Sequence, residues 1–270
     1  MALRHRPTRS IPRALLGALL LVAGPGIAPA SEPTTGRANL RADGLAAAAA
    51  RSEARAADVP GDFDARLGAA RSLNRVMASR THGNLPLFDG LQDSDENRAL
   101  WADLGSRALE HARAAEKLRP TSADAAAELA TAYMFYSSSL GIVRAILKGA
   151  GSEYQDHVQR VIELDARHGA AIGDYLLAGF FLVAPWPIRD MDEARARFER
   201  AARLAPESVR NRYGLAVFSA RDGDTDTARE HFEQVLAMPC DEKTDALICD
   251  FMMEEARRAL DTLEGSASPR

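Results

Sequence analysis

Several things are scarce in this chain, and each scarcity narrows what it can be. Aromatic residues make up 6% of its 270 residues and glycines number 19, while alanine, arginine, glutamate and leucine abound, a balance that favours helix over strand. Only two cysteines occur, Cys240 and Cys249. None of the six histidines (His5, His82, His111, His157, His168, His231) has a partner at the spacing of a zinc-binding helix. A G-x-S-x-G elbow, a P-loop and a dinucleotide fingerprint are all missing, so the sequence offers no catalytic constellation, metal site or cofactor site. Charge of one sign is lacking too: 34 Lys and Arg face 38 Asp and Glu, with no basic run to follow a phosphate backbone or an anionic membrane surface. Nucleic acid is excluded as a partner on that ground.

Long hydrophobic runs are equally scarce. The main one follows Arg4, Arg6, Arg9 and Arg13 and is broken by Gly24-Pro25-Gly26, well short of the ~20 residues a spanning helix needs. A basic start, a short apolar stretch and the small-x-small exit Ala28-Pro29-Ala30 predict a signal peptide over residues 1–30, cut after Ala30, and export to a bacterial periplasm. Cleavage removes four arginines and no acid, taking the formal charge from −4 to −8. No cysteine lies near the cut, so no membrane anchor is expected after cleavage.

Residues 31–61 predict a flexible segment. SEPTTGRANLRADG is polar and marked by Gly and Pro, and LAAAAARSEARAA has helical propensity but no bulky side chains to pack with. A helical domain over 62–264 begins near Asp62, where Phe63, Leu67, Leu73 and Val76 recur at helical spacing. THGNLPLFDGLQD reads as a loop broken by Gly83, Pro86 and Gly90, and 265–270 as a disordered tail.

What is abundant is one pattern written four times. RALEHARAAEKLRP, EYQDHVQRVIELDA, DEARARFERAARLAP and TAREHFEQVLAMPC share a rhythm of small, bulky, small and stop, the stops falling at Pro120, Ala166, Pro206 and Cys240 at intervals of 46, 40 and 34. The bulky slot holds Ala112, Val158, Phe198 and Phe232. The preceding helices carry their own pattern at Leu129-Ala130 with Tyr133, Ala178-Gly179 with Tyr175, and Leu215-Ala216 with Ser219. Thr121 with Asp124, and Asp190 with Glu193, have capping-box spacing, and Asp224 precedes the last repeat helix.

Thirty-four residues is the period of helix–turn–helix repeats, and over 95–240 the chain resembles the tetratricopeptide-repeat superfamily. Within it, 173–238 resemble the T component of TRAP transporters through Ala184-Pro185-Trp186-Pro187, Ala194, Pro206, Leu215 and Ala216. The resemblance implies an all-α, right-handed solenoid of about four helix pairs with a C-terminal capping helix. It also implies a periplasmic, non-catalytic scaffold that associates with a solute-binding protein or passes an apolar small molecule. The family's lipid anchor has no counterpart here. The alternative is an assembly or accessory factor for an envelope enzyme.

In such folds the first helix of each unit lines the concave side, which nominates Met134 and Phe135, then Leu176, Phe180 and Val183, then Tyr213 and Val217 as a ligand or partner groove. Ala127 and Thr131 extend it, and Arg210 and Arg221 make one end ionic. The same side chains could instead be core, covered by the N-terminal helix or by the 141–152 insertion. Asp222, Asp224, Asp226, Glu230 and Glu233 have calcium-loop spacing, but Thr227 stands where the turn glycine belongs and a repeat helix over 226–236 would pull Glu233 away. Arginines and glutamates of ARARFERAAR read as a solvated outer face. Cys240 and Cys249 flank the start of a capping helix with the stripe Ile248, Met252, Ala256, Ala259 and Leu263; either a disulfide or two free thiols is compatible with that spacing.

Overall fold

The structure is a computed structural model and describes residues 34–240 and 246–267, so the expected signal peptide at 1–30 lies outside the described residues. The regular secondary structure among the described residues is helical, with no strand among them. In chain order the helices are α1 (Thr34–Asp58), α2 (Phe63–Arg80), α3 (Asp95–Leu118), α4 (Ala123–Ser139), α5 (Ile142–Leu147), α6 (Ala150–Leu164), α7 (His168–Val183), α8 (Met191–Leu204), α9 (Val209–Asp222), α10 (Thr225–Ala237) and α11 (Cys249–Ala267).

Most boundaries follow from local chemistry. Asp62, Ser94, Ser122, Asp190, Ser208 and Asp224 each turn a side-chain oxygen onto the backbone N–H three residues on, satisfying a donor that the first turn leaves free. The expected cap at Thr121 is corrected by one residue: Ser122 has the extended backbone a cap needs and accepts from Ala125 N at 3.2 Å. α9 ends at Gly223, whose φ of 88° only glycine adopts at no steric cost.

Packing follows the repeated pattern. Its small–bulky–small stripe falls on α3, α6, α8 and α10, where Ala108, Ala112, Ala115, Val158, Ala194, Phe198, Ala201, Ala228, Phe232 and Val235 are all fully buried. Neighbours in the chain pack on one another in succession, α5 lying between α4 and α6. Beyond succession, α2, α4, α7, α9 and α11 touch in a row, and α3, α6, α8 and α10 back them. Close approach within this arrangement needs small residues. A Cβ built on Gly214 would lie 2.5 Å from the Phe198 ring, and one on Gly105 would lie 3.1 Å from the backbone of Tyr136.

Three sequence expectations are corrected here. Residues 34–58 form α1 rather than a flexible segment, and Ala49 and Ala56 are buried. Bulk is unnecessary because Ala56 meets Ala65 and Ala69 of α2, small residue against small residue, which brings the backbones close. Secondly, α11 runs on to Ala267, through part of the expected tail. Thirdly, the outer face of α8 is not wholly solvated. Arg197 and Arg200 both reach Asp174 Oδ1, at 3.1 and 2.9 Å, and Asp174 is fully buried on α7. A charge that deep requires such partners.

A second departure from periodicity opens α7. Gly169, Ala170 and Ala171 have φ of 53°, 55° and 58°, a left-handed stretch costly for alanine. Arg210 donates to Gly169 O at 2.8 Å, and the Asn211 amide to Ala170 O and Ala201 O, both at 3.0 Å. Side chains of α9 therefore hold the turn. Arg210, which the sequence placed at the ionic end of a groove, is 6% exposed and spent on this backbone.

Candidate functional site

Residues 81–94, between α2 and α3, form a strap across the row of α4, α7, α9 and α11. His82, Gly83 and Asn84 open it in the left-handed region, where Gly, Asn and His are the least disfavoured residues. The His82 ring stacks on Phe251 of α11 at 3.9 Å, and Asn84 donates to Ser138 Oγ of α4 at 3.0 Å. Pro86 packs beside Gly179 of α7, and its carbonyl accepts from Tyr213 Oη of α9 at 3.2 Å. Arg221 donates to Leu87 O at 2.7 Å and to Gly90 O; the Phe88 ring meets Phe232 edge-on at 6.1 Å; Asp89 pairs with Arg258 at 3.2 Å. The strap thus fills the inner face over α9 and α11.

Over α4 and α7 it does not. A cavity of about 490 Å³ remains there, bounded by the strap at Gly83–Pro86, Leu91 and Asp93, by Trp101 of α3, by the C-terminal end of α4, by Ala145 of α5, by the start of α6 and by α7 with the turn after it. Its volume lies within the range usual for small-molecule sites, as does its mostly apolar wall. Of the residues nominated from sequence, Met134, Leu176, Phe180 and Val183 come together in this wall. Phe180 presents a ring that meets Tyr154 at 5.6 Å and Phe181 at 5.4 Å.

The remaining nominees are corrected to core. Phe135 is fully buried against Trp101, whose indole N–H donates to Thr81 Oγ1 at 3.1 Å. Tyr213 and Val217 are fully buried on α9, beneath the strap. Ala127 and Thr131 are half-buried on α4 and take no part in the cavity wall. The cover over Tyr213 is the α2–α3 connection, while the 141–152 insertion walls the cavity beside Met134 and Phe180. A signal for this was present in Leu85-Pro86-Leu87-Phe88, four apolar residues in succession inside a supposedly polar loop.

Polar groups on the wall are few and mostly engaged. Ser137 donates to Met134 O at 3.1 Å, Ser152 to Gly149 O at 2.9 Å, and Gln155 to Gly151 O at 3.2 Å. Asp93 is paired with Arg98 at 2.7 Å. Burial pushes the Tyr154 phenol far above its ordinary range, so it stays protonated and donates to Leu176 O at 3.4 Å. Among the described residues the wall includes no Lys, Arg, His or Cys. It can enclose an apolar body.

A second, more polar hollow of about 370 Å³ lies between α8, α9 and α10, where Arg195 pairs with Asp222 and lies over the Phe218 ring. Two of the acids with calcium-loop spacing, Asp222 and Asp224, line it. Asp224 caps α10, which begins at Thr225 and carries Glu230 and Glu233, so the segment is helix rather than a twelve-residue loop. At the end of the stack, Cys240 and Cys249 are joined as a disulfide with Cα atoms 5.9 Å apart. It leads into α11, whose Met252, Ala256, Ala259 and Leu263 are buried as a stripe that Ile248, just before the helix, extends. No helix among the described residues is long and apolar enough to cross a membrane.

No protein-family model matches this chain, and no curated protein is significantly similar to it.

Proposed function

We propose that this protein is a non-catalytic helical-repeat binder of tetratricopeptide type, exported to the periplasm, that holds an apolar small molecule or the apolar segment of a partner. The T component of a TRAP-type uptake system, working beside a solute-binding protein, is the setting this reading favours. The observation that carries it is the cavity of about 490 Å³ between α4, α6 and α7, with Met134, Leu176, Phe180 and Val183 on its wall. Alternate helices touching in a row, α2 through α11, with the small–bulky–small stripe on the helices behind them, support the repeat reading. Binding without turnover is supported by a wall whose serine hydroxyls have no histidine or cysteine beside them.

An environment-sensitive naphthylamine dye tests this. The chain should bind it saturably, and Phe180→Asp on α7 and Met134→Lys on α4 should each weaken binding at least about ten-fold with the thermal melt nearly unchanged. Absence of saturable dye binding, or equal binding by both variants and the wild type, overturns the proposal.

A further inference from the structure

The described residues expose five large apolar side chains, and three of them belong to segments that bound the cavity. Leu91 is 43% exposed and lines the cavity. Leu147, 82% exposed, follows Ala145 of the cavity wall along α5, and Trp186, 89% exposed, stands between Pro185 and Ile188, both wall residues. Val59 and Leu118, at 44% each, lie elsewhere on the chain. An indole turned almost wholly to water has a use where one of its faces is to become apolar while its N–H stays wet, which describes a lipid–water interface.

Charge on the same segment favours lipid over protein. Arg144 of α5 and Lys148 just after it flank Leu147 and are exposed, neither paired with an acid among the described residues, whereas Asp93, the charged residue of the wall, is already paired with Arg98. From Leu129 to Ser152 the chain carries two cations and no acid, whereas the whole chain has a formal charge of −4. A short basic and apolar helix beside an exposed tryptophan matches the way peripheral segments lie in a headgroup layer, with attraction to anionic lipid reinforcing apolar insertion.

From these observations we propose that the cavity mouth, with Leu91, Leu147 and Trp186 as apolar contacts and Arg144 and Lys148 as cations, docks on an anionic lipid surface. The inference rests on the cavity being a binding site, since docking in this orientation lets an apolar ligand pass between bilayer and cavity without crossing water.

The test uses the processed chain beginning at Ser31, mixed with phosphatidylcholine vesicles with and without phosphatidylglycerol. Trp101 is buried and Trp186 is the exposed one of the two tryptophans, so emission changes report on the mouth. Expected are a blue shift and quenching by brominated lipid with the anionic vesicles, both reversed by salt. Read by vesicle co-sedimentation, since Trp186→Ser removes the reporter, Leu147→Asp and Trp186→Ser should each lower partitioning several-fold, and Arg144→Glu with Lys148→Glu at least about ten-fold, while dye binding in the absence of vesicles is unchanged. No partitioning onto anionic vesicles at low salt, or partitioning indifferent to all four substitutions, overturns the lipid surface as the occupant. A requirement for these residues only in capturing a protein does so as well. Loss of dye binding with vesicle docking intact would instead overturn the cavity reading alone.

Discussion

Along one row of helices the inner face is used in two ways. Over α9 and α11 the strap lies flat on it, and Tyr213, Val217 and Phe232 are fully buried beneath. Over α4 and α7 the strap has only reached Asn84 and Pro86, and Met134, Phe180 and Val183 are left half-exposed around a cavity. The side chains are of the same kind in both places. Whether an apolar helix face is core or pocket is therefore decided by what crosses it, not by its own composition.

The sharpest way to break that comparison is to remove one phenylalanine from each region. Phe232→Ala, in the filled part, should cost about 3–5 kcal/mol in a urea melt, because a fully buried ring between Phe88 of the strap and Tyr213 leaves a hole. Phe180→Ala should cost far less and register mainly as lost dye binding; equal costs would mean the cavity wall is ordinary core.

Next in size is the disulfide. It closes a short loop leading into α11, on which the strap rests through His82 and Phe251. Reduction should lower stability by about 2–3 kcal/mol, read as a fall in Tm on adding dithiothreitol that Cys240→Ser reproduces without reductant. An unshifted Tm would show that the stack is indifferent to its end.

Gly214→Ala asks how tightly the filled part is packed. The new Cβ meets the Phe198 ring at 2.5 Å, and repacking should cost about 1–3 kcal/mol; a neutral substitution would show slack where the structure has none. Smaller still, Tyr213→Phe removes the hydrogen bond to Pro86 O and should cost about 1 kcal/mol, with faster amide exchange in the strap as its signature.

The smallest effect expected is on pH dependence. Burial holds the His82 imidazole below its ordinary value, against the pull of Glu254 and Glu255. The unfolded chain then takes up a proton that the folded chain resists, so this contribution is present above about pH 6.5 and is lost as the pH falls. His111 and His231, lowered first by burial and then by Arg66 and Arg212, act in the same sense. Melts at pH 7.5 and pH 5.5 should differ less in His82→Asn than in the wild type; an unchanged difference would assign the slope to the other two.

Much of this architecture is legible in the sequence because it is local. A small–bulky–small stripe needs only the helical period to declare itself, and the stripes on α3, α6, α8, α10 and α11 are buried where that period puts them. Caps at Asp190 and Asp224 need only their own next three residues. The pairing of α1 with α2 escaped because alanine packs by absence of bulk, which a search for large apolar residues passes over. Arg197 and Arg200 escaped because the acid they serve, Asp174, is on another helix.

By itself, then, the sequence determined the helices and which stripe of each faces inward, since both follow from spacing along a chain of fixed pitch. The tertiary structure alone decided what becomes of the inner face. Tyr213 donates to a carbonyl 127 residues away, and Arg221 to one 134 residues away. No periodicity encodes such pairings: they exist only once the helices have stacked and an apolar strap has found the part of the row it can cover.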